Sequence, residues 1–246
     1  MYEGVIIDID YILSTMKKLK INFDKTIKLI NVLVKNNIPV VLYTENSREC
    51  IDEVKGYLKT KEPAIVAEGA QIYSPFDTEY ESVFPLDINT VCKLGNWALN
   101  QNLAVNINTD EKNMSYLEWV KGLKCVNYRN SNSSYSKVVN IEMHMENDDK
   151  RIELLNFIGK NNLECYAHMY LSHVSCINSM VDKGNTLRYL ASKKRWNIKK
   201  FVMVGEYFKD SSIFDEIGYG MSISDFHRNI FGMFEKTFDN NLANII

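Results

Sequence analysis

The sequence predicts an α/β fold, an open parallel sheet that carries an inserted second domain, and three observations predict it. Short, continuously apolar runs alternate with amphipathic helix patterns at both ends of the 246-residue chain. Between those ends lies a stretch of different texture, in which apolar and polar residues alternate along strand-length segments. Two carboxylates, Asp8 and Asp10, stand at the end of the first apolar run, where open α/β sheets bind their ligands.

Val5, Ile6 and Ile7 read as a buried parallel strand that runs into Asp8-Ile9-Asp10. Alternation along a strand sends both aspartates to the same side, where they can serve one cation or one reacting group. At this point two solvated aspartates closing a strand fit equally well. Phe23, Ile27, Ile30 and Val34 recur at helical spacing, and Asn36-Asn37 stops that helix. Residues 38–44 (Ile-Pro-Val-Val-Leu-Tyr-Thr) form a second strand and complete a βαβ unit. Ile51, Val54 and Leu58 mark another amphipathic helix, and Ala64-Ile65-Val66-Ala67 a short strand that breaks at Gly69. The pattern resumes with a helix at Leu187, Leu190 and Ala191, a buried strand over residues 201–204, and a short helix at Ile213, Phe214 and Ile217 before Gly218. In the middle, Val138-Val139-Asn140-Ile141-Glu142-Met143-His144 suits an antiparallel sheet with one wet face. The boundaries that follow are a discontinuous core, 1–78 and 179–246, and an inserted domain, 79–178. Residues 130–134 (Asn-Ser-Asn-Ser-Ser) read as a flexible loop inside the insertion.

Composition narrows the partners. With 29 Lys and Arg against 31 Asp and Glu the formal charge is −2, and no basic stripe interleaved with aromatics is present, so no nucleic acid is expected. No apolar run reaches the roughly 20 residues of a membrane span, and the N-terminus runs directly into a strand, so the expectation is a cytoplasmic protein with no membrane partner. The five cysteines are odd in number and lack a CxxC pair, which argues against a disulfide framework or a zinc site. His144, His168, His173 and His227 are too scattered for a metal cluster.

Each remaining core strand ends in a polar group able to join the opening pair: Thr44 after the second, Glu206 and Asp210 after residues 201–204, while Lys183 opens a helix leading back into the core. Alone, Thr44 reads as a helix N-cap, Lys183 as a solvated helix-start lysine, and residues 205–210 as a strand-to-helix turn. Together, Asp8-Ile9-Asp10, Thr44, Lys183 and Gly205-Glu206-Tyr207-Phe208-Lys209-Asp210 resemble, in order and character, the four motifs of the haloacid dehalogenase (HAD) superfamily. Residues 66–73 and 182–187 further resemble its Cof-type sugar-phosphatase branch, which carries an α/β cap between its second and third motifs. The resemblance covers nearly the whole chain.

The resemblance implies a HAD-like doubly wound parallel-sheet core with an inserted α+β cap domain. It also implies a Mg-dependent phosphatase acting on a small phosphorylated metabolite, with sugar phosphates among the candidates, through an aspartyl-phosphate. Asp8 is then the nucleophile and Asp10 the general acid and base, while Thr44 and Lys183 bind the phosphoryl oxygens, with Glu45, Asn46 and Lys209 placed to contact substrate. Mg²⁺, a hard cation suited to oxygen ligands, is implied between the Asp8 carboxylate, the Asp10 main-chain carbonyl and Glu206, with Asp210 holding its waters. Residues of the insertion, around 140–145 or 173–178, line the leaving-group pocket on this reading. The chain departs from the branch in several places: Tyr11 and Ile12 replace Gly and Thr, Glu45 and Asn46 replace Gly and Arg, Glu68 replaces Asn, and Glu206 and Lys209 replace Asp and Asn. Those departures motivate a second reading, a weak or inactive relative that binds a phosphorylated ligand or a protein partner. A third is a phosphomutase, which returns the phosphoryl group to a sugar.

Overall fold

Strand β1 (Gly4–Asp8) is buried along its whole length and lies at the centre of a seven-stranded sheet. The computed structural model describes residues 2–19, 23–77, 79–125, 136–206 and 211–234. After β1 the chain turns at once into α1 (Ile9–Leu19), so Asp10 sits in the first turn of a helix and not on the strand beside Asp8. This corrects the expectation of two carboxylates alternating along one strand. The physical reason is the spacing of Ile9, Ile12 and Leu13, which join the core cluster at a helical period. Asp8 favours the switch, because it accepts a hydrogen bond from the Tyr11 N–H three residues on, as a helix N-cap does.

Helix α2 (Phe23–Lys35) leads to β2 (Val40–Tyr43), and α3 (Glu49–Val54) to β3 (Ala64–Val66). A 3₁₀ turn (Ala67–Gly69) reverses the chain into β4 (Gln71–Ser74), antiparallel to β3, and β5 (Glu79–Val83) ends that edge of the sheet.

The chain divides into two compact units, residues 1–81 with 182–246, and residues 82–181. The second unit holds α4 (Ile88–Asn100), β6 (Val105–Thr109), β7 (Asn113–Ser115), α5 (Tyr116–Cys125), β8 (Val138–His144), α6 (Asp148–Lys160), β9 (Cys165–Met169) and β10 (His173–Asn178). Its five strands run in the order β7-β6-β8-β10-β9, and every pairing is antiparallel. Ile107, Ile141, Met143, Val174 and Cys176 share one apolar cluster with Val91 and Leu94 of α4 and Leu154 of α6. The opposite positions are polar: Asn108 donates to Glu142 at 2.7 Å, and Asn140 to Ser175 at 3.2 Å. Period two along the strands therefore sorts this sheet into one apolar and one polar face. The loop expected at residues 130–134 lies outside the described residues.

Returning to the first unit, α7 (Lys183–Lys194) precedes β11 (Phe201–Val204), α8 (Ser211–Glu216), β12 (Tyr219–Met221) and α9 (Ile223–Met233). The sheet order is β12-β11-β1-β2-β3-β4-β5, and β1, β2, β3, β11 and β12 are mutually parallel. From β1 the chain first builds outward through β2 and β3; after the second unit it builds the other way through β11 and β12. This is the doubly wound α/β core with an inserted α+β domain that the sequence predicts. Among the described residues no helix is long and apolar enough to cross a membrane.

Candidate active site

Parallel registry brings the strand ends level. Ile7 pairs with Val204 of β11, and Asp8 with Tyr43 of β2, so Gly205-Glu206 and Thr44 leave the sheet beside Asp8. Strand order reverses at β1, and a crevice opens where neighbouring connections depart in opposite directions. Asp8 thus stands at the position where a sheet of this kind binds ligands. It is 4% exposed, and the Tyr11 N–H donates to its Oδ1 at 2.9 Å.

The turn after β2 is organised around the other aspartate. Thr44, wholly buried, donates its hydroxyl to Asp10 Oδ2 at 2.8 Å, and the Glu45 N–H donates to the same oxygen at 2.9 Å. The Asn46 side-chain amide donates to Asp10 Oδ1 at 3.0 Å, while the Asn46 N–H donates back to Thr44 Oγ1 at 3.1 Å. Thr44 therefore caps no helix; Arg48 precedes α3 and makes no side-chain cap bond. Arg48 instead lies 5.8 Å from the Tyr73 ring centroid and 5.4 Å from that of Tyr80, which anchors the far end of the turn. Next to it, burial pushes the Asp52 carboxyl up, but hydrogen bonds from Lys55 and Tyr73 outweigh burial and hold it below its ordinary value. Half-buried Cys50 adjoins the same turn, and burial first, then the Asp10 charge, pushes its thiol up, so it stays protonated.

Lys183 is placed by close approach of two backbones. Asp182 caps α7 by accepting from the Asn185 N–H at 2.8 Å, and the Thr186 hydroxyl donates to the Gly69 carbonyl at 2.7 Å. Gly69 has φ of +96°, a conformation that L side chains rarely adopt, and a Cβ there would lie 3.2 Å from the Lys183 Cα, a tight contact that would push the start of α7 by a few tenths of an ångström. Ala67 and Glu68 before it also adopt left-handed φ, at 51° and 56°, which L side chains adopt at a cost. The Ala67 N–H donates to the Asn46 carbonyl at 2.7 Å, so this strained turn ties the Asp10 clamp to the start of α7. Lys183, in turn, donates from Nζ to Glu45 Oε1 at 2.7 Å, with the two side chains 5% and 18% exposed. Its ammonium also lies 5.3 Å from the Tyr43 ring centroid.

Asp10, Thr44, Glu45, Asn46 and Lys183 thus form one bonded group near Asp8. Glu206 is exposed and lines a cavity of about 730 Å³ with Tyr11, Gly205, Met221, Ser222 and Asp225. That volume is in the range of small-molecule sites. Lys209 and Asp210 lie outside the described residues. Ser222 and Asp225 bond to each other at the start of α9, and what the sequence does not reveal is the Lys183–Glu45 pair, whose sequence signal is an acid where the branch carries glycine. Ile12, 3% exposed, fills core space where the branch has a hydroxyl. As candidate metal donors the described residues offer oxygen alone: the carboxylates of Asp8 and Glu206 and the main-chain carbonyl of Asp10. Such a set matches a hard divalent cation in kind, with water or ligand completing the coordination. Among the described residues no group of three or more His, Cys, Asp or Glu side chains is arranged to hold a metal ion.

The family model for haloacid dehalogenase-like hydrolases matches residues 5–244. The chain belongs to this family. Comparison with curated proteins gives no match. Solved structures resemble this haloacid dehalogenase-like hydrolase at low identity. A haloacid dehalogenase-like hydrolase from Bacteroides thetaiotaomicron aligns with a TM-score of 0.73 at 15% identity, covering 97% of this chain and 100% of the other. One from B. subtilis gives 0.68 at 14%, covering 89% and 88%. A HAD subclass IIB sugar phosphatase gives 0.67 at 12%, covering 91% and 89%. At such identities the likeness shows the shared fold of the HAD-like hydrolases, and the chemistry of this member rests on its own residues.

Proposed function

We propose that this HAD-like hydrolase is a phosphatase that removes the phosphoryl group from a small phosphorylated metabolite, with a sugar phosphate as the reference substrate. The observation that carries the reading is Asp8, a buried carboxylate at the point of strand-order reversal, with Asp10 and Lys183 on the same sheet edge. Asp8 attacks phosphorus, the bond from phosphorus to the ester oxygen breaks, and protonated Asp10 delivers its proton to the departing alcohol. In the second half Asp10, now a carboxylate, takes a proton from water as the water oxygen attacks phosphorus and the bond to Asp8 breaks. Proton transfer of this kind contributes about 10²–10⁴-fold. To reach the leaving group, Asp10 has to exchange at least one of its three donors, and the Asn46 amide, on an exposed residue, is the most easily replaced by water. Lys183 meets a phosphoryl oxygen, where its charge counts most as negative charge builds. Asp8, the Asp10 carbonyl and Glu206 would hold Mg²⁺, which when bound offsets the repulsion between the carboxylate and the phosphoryl group.

Release of inorganic phosphate from sugar phosphates and p-nitrophenyl phosphate in MgCl₂ tests this, with loss of turnover expected in Asp8→Asn. Turnover that survives Asp8→Asn, or none in the native chain, overturns it. A second reading, ligand binding with little turnover, draws on one observation: Lys183 is tied to Glu45 and Asp10 to three donors, so both need rearrangement before chemistry.

A further inference from the structure

We infer that Glu45 selects a zwitterionic substrate, a phosphate ester whose leaving group carries an ammonium close to the ester oxygen. The inference rests on the phosphatase reading for the role of Lys183, and on the Lys183–Glu45 pair for everything else. At this edge the Lys183 ammonium is paired with the Glu45 carboxylate, while Thr44, the residue before Glu45, donates its hydroxyl to a second carboxylate, that of Asp10. The 2.7 Å pair is largely shielded from water, at 5% and 18% side-chain exposure, so neither charge is easily left without a partner.

An anionic ligand that needs Lys183 meets two alternatives. If the ammonium swings to the phosphoryl oxygens, the shielded Glu45 carboxylate loses its cation. Three neighbouring donors among the described residues, the Thr44 hydroxyl, the Glu45 N–H and the Asn46 side-chain amide, are already directed at Asp10. If the ammonium instead divides its three protons between both anions, the Glu45 carboxylate and the phosphoryl group stand on either side of one nitrogen, and like charges repel across it. In both cases a neutral leaving group leaves the negative charge at Glu45 without its Lys183 partner, and among the described residues no other ion pair to Glu45 takes its place. A leaving group bearing an ammonium supplies the missing cation as the phosphoryl group takes Lys183, exchanging one ion pair for two.

The test compares matched esters on the whole 246-residue chain: 2-aminoethyl phosphate against 2-hydroxyethyl phosphate, and 3-aminopropyl phosphate against 3-hydroxypropyl phosphate. Specificity constants are measured in MgCl₂, and dissociation constants by calorimetry. The native chain is expected to favour the ammonium member of at least one pair by roughly tenfold or more, the scale of one charge-assisted contact. In Glu45→Gln that ratio falls towards one, partly because the hydroxyl ester gains. Glu45→Asp, which keeps the charge, retains the preference and shows that the loss is not a folding defect. Equal constants for both members of both pairs, or a preference that persists in Glu45→Gln, overturn the inference. Binding with the expected preference but without phosphate release refutes the phosphatase reading and supports the role of Glu45. Absence of any binding refutes both.

Discussion

Replacing Thr44 with Val removes one hydroxyl from the middle of the Asp10 clamp and leaves the volume almost unchanged. The hydroxyl is wholly buried, donates to Asp10 Oδ2 at 2.8 Å and accepts from the Asn46 N–H at 3.1 Å. A hydrogen bond to a charged acceptor contributes about 1.5–3 kcal/mol, and Asp10 retains the Glu45 N–H and the Asn46 amide as donors. The orphaned Asn46 N–H adds little, since Asn46 is exposed and water can take over. Thr44→Val should therefore destabilise the first unit by about 2 kcal/mol, roughly thirtyfold in its opening equilibrium. Thr44→Ser, which keeps the hydroxyl, should lose much less. Because the chain has two units, one global unfolding curve is a poor gauge, so the assay is native-state hydrogen exchange at the amides of Val5, Ile6 and Ile7 in β1. A Thr44→Val change within about 0.5 kcal/mol of the native value, the range of ordinary surface substitutions, would refute the clamp.

Other perturbations test neighbouring parts of the structure. Gly184→Ala sets a Cβ 2.3 Å from the Ser212 carbonyl, a backbone atom that cannot rotate aside, and should cost about 1–3 kcal/mol by forcing α7 from α8, as read by native-state hydrogen exchange at the amides of Leu187 and Leu190. His227, whose Nε2 lies 2.8 Å from the Thr26 hydroxyl, is held below its ordinary pKa first by burial and then by Lys25. Its folded pKa lies under the unfolded one, so its contribution is complete above about pH 6.5 and is lost as pH falls through the folded value. Hydrogen-exchange protection of the first unit, corrected for the intrinsic pH dependence of exchange, should drop below that pH, and His227→Gln should flatten the drop. In the second unit, burial above all, with Cys92 adding, pushes the Tyr116 phenol up to about 12. The unfolded phenol ionises near pH 10, so stability present below that pH should be lost as pH rises towards the folded value. Tyr116→Phe should remove this part of the alkaline slope, and an unchanged slope would count against the assignment.

The sequence alone determined the class of each sheet. Continuous apolar runs at Val5, Ile6 and Ile7 and over residues 201–204 can only be buried on both faces, whereas the alternation from Val138 to His144 leaves one face polar; both patterns follow from the two-residue period of a strand. It also showed which polar residues end the core strands, because a residue just past a buried run has to leave the sheet. What it could not supply was direction. Asp10 was legible as a carboxylate near a strand end, but its helical position depended on Ile9, Ile12 and Leu13 finding the core at a 3.6-residue period, which competes locally with alternation. The partner of Lys183 was less legible still. Position 45 is far from position 183 in sequence, and their 2.7 Å contact exists only because the left-handed turn at Gly69 packs against the start of α7 while β2 lies beside β1. Local pattern records which groups must leave water; which charge each one then meets is decided by tertiary registry, and there the structure sets Glu45 against Lys183.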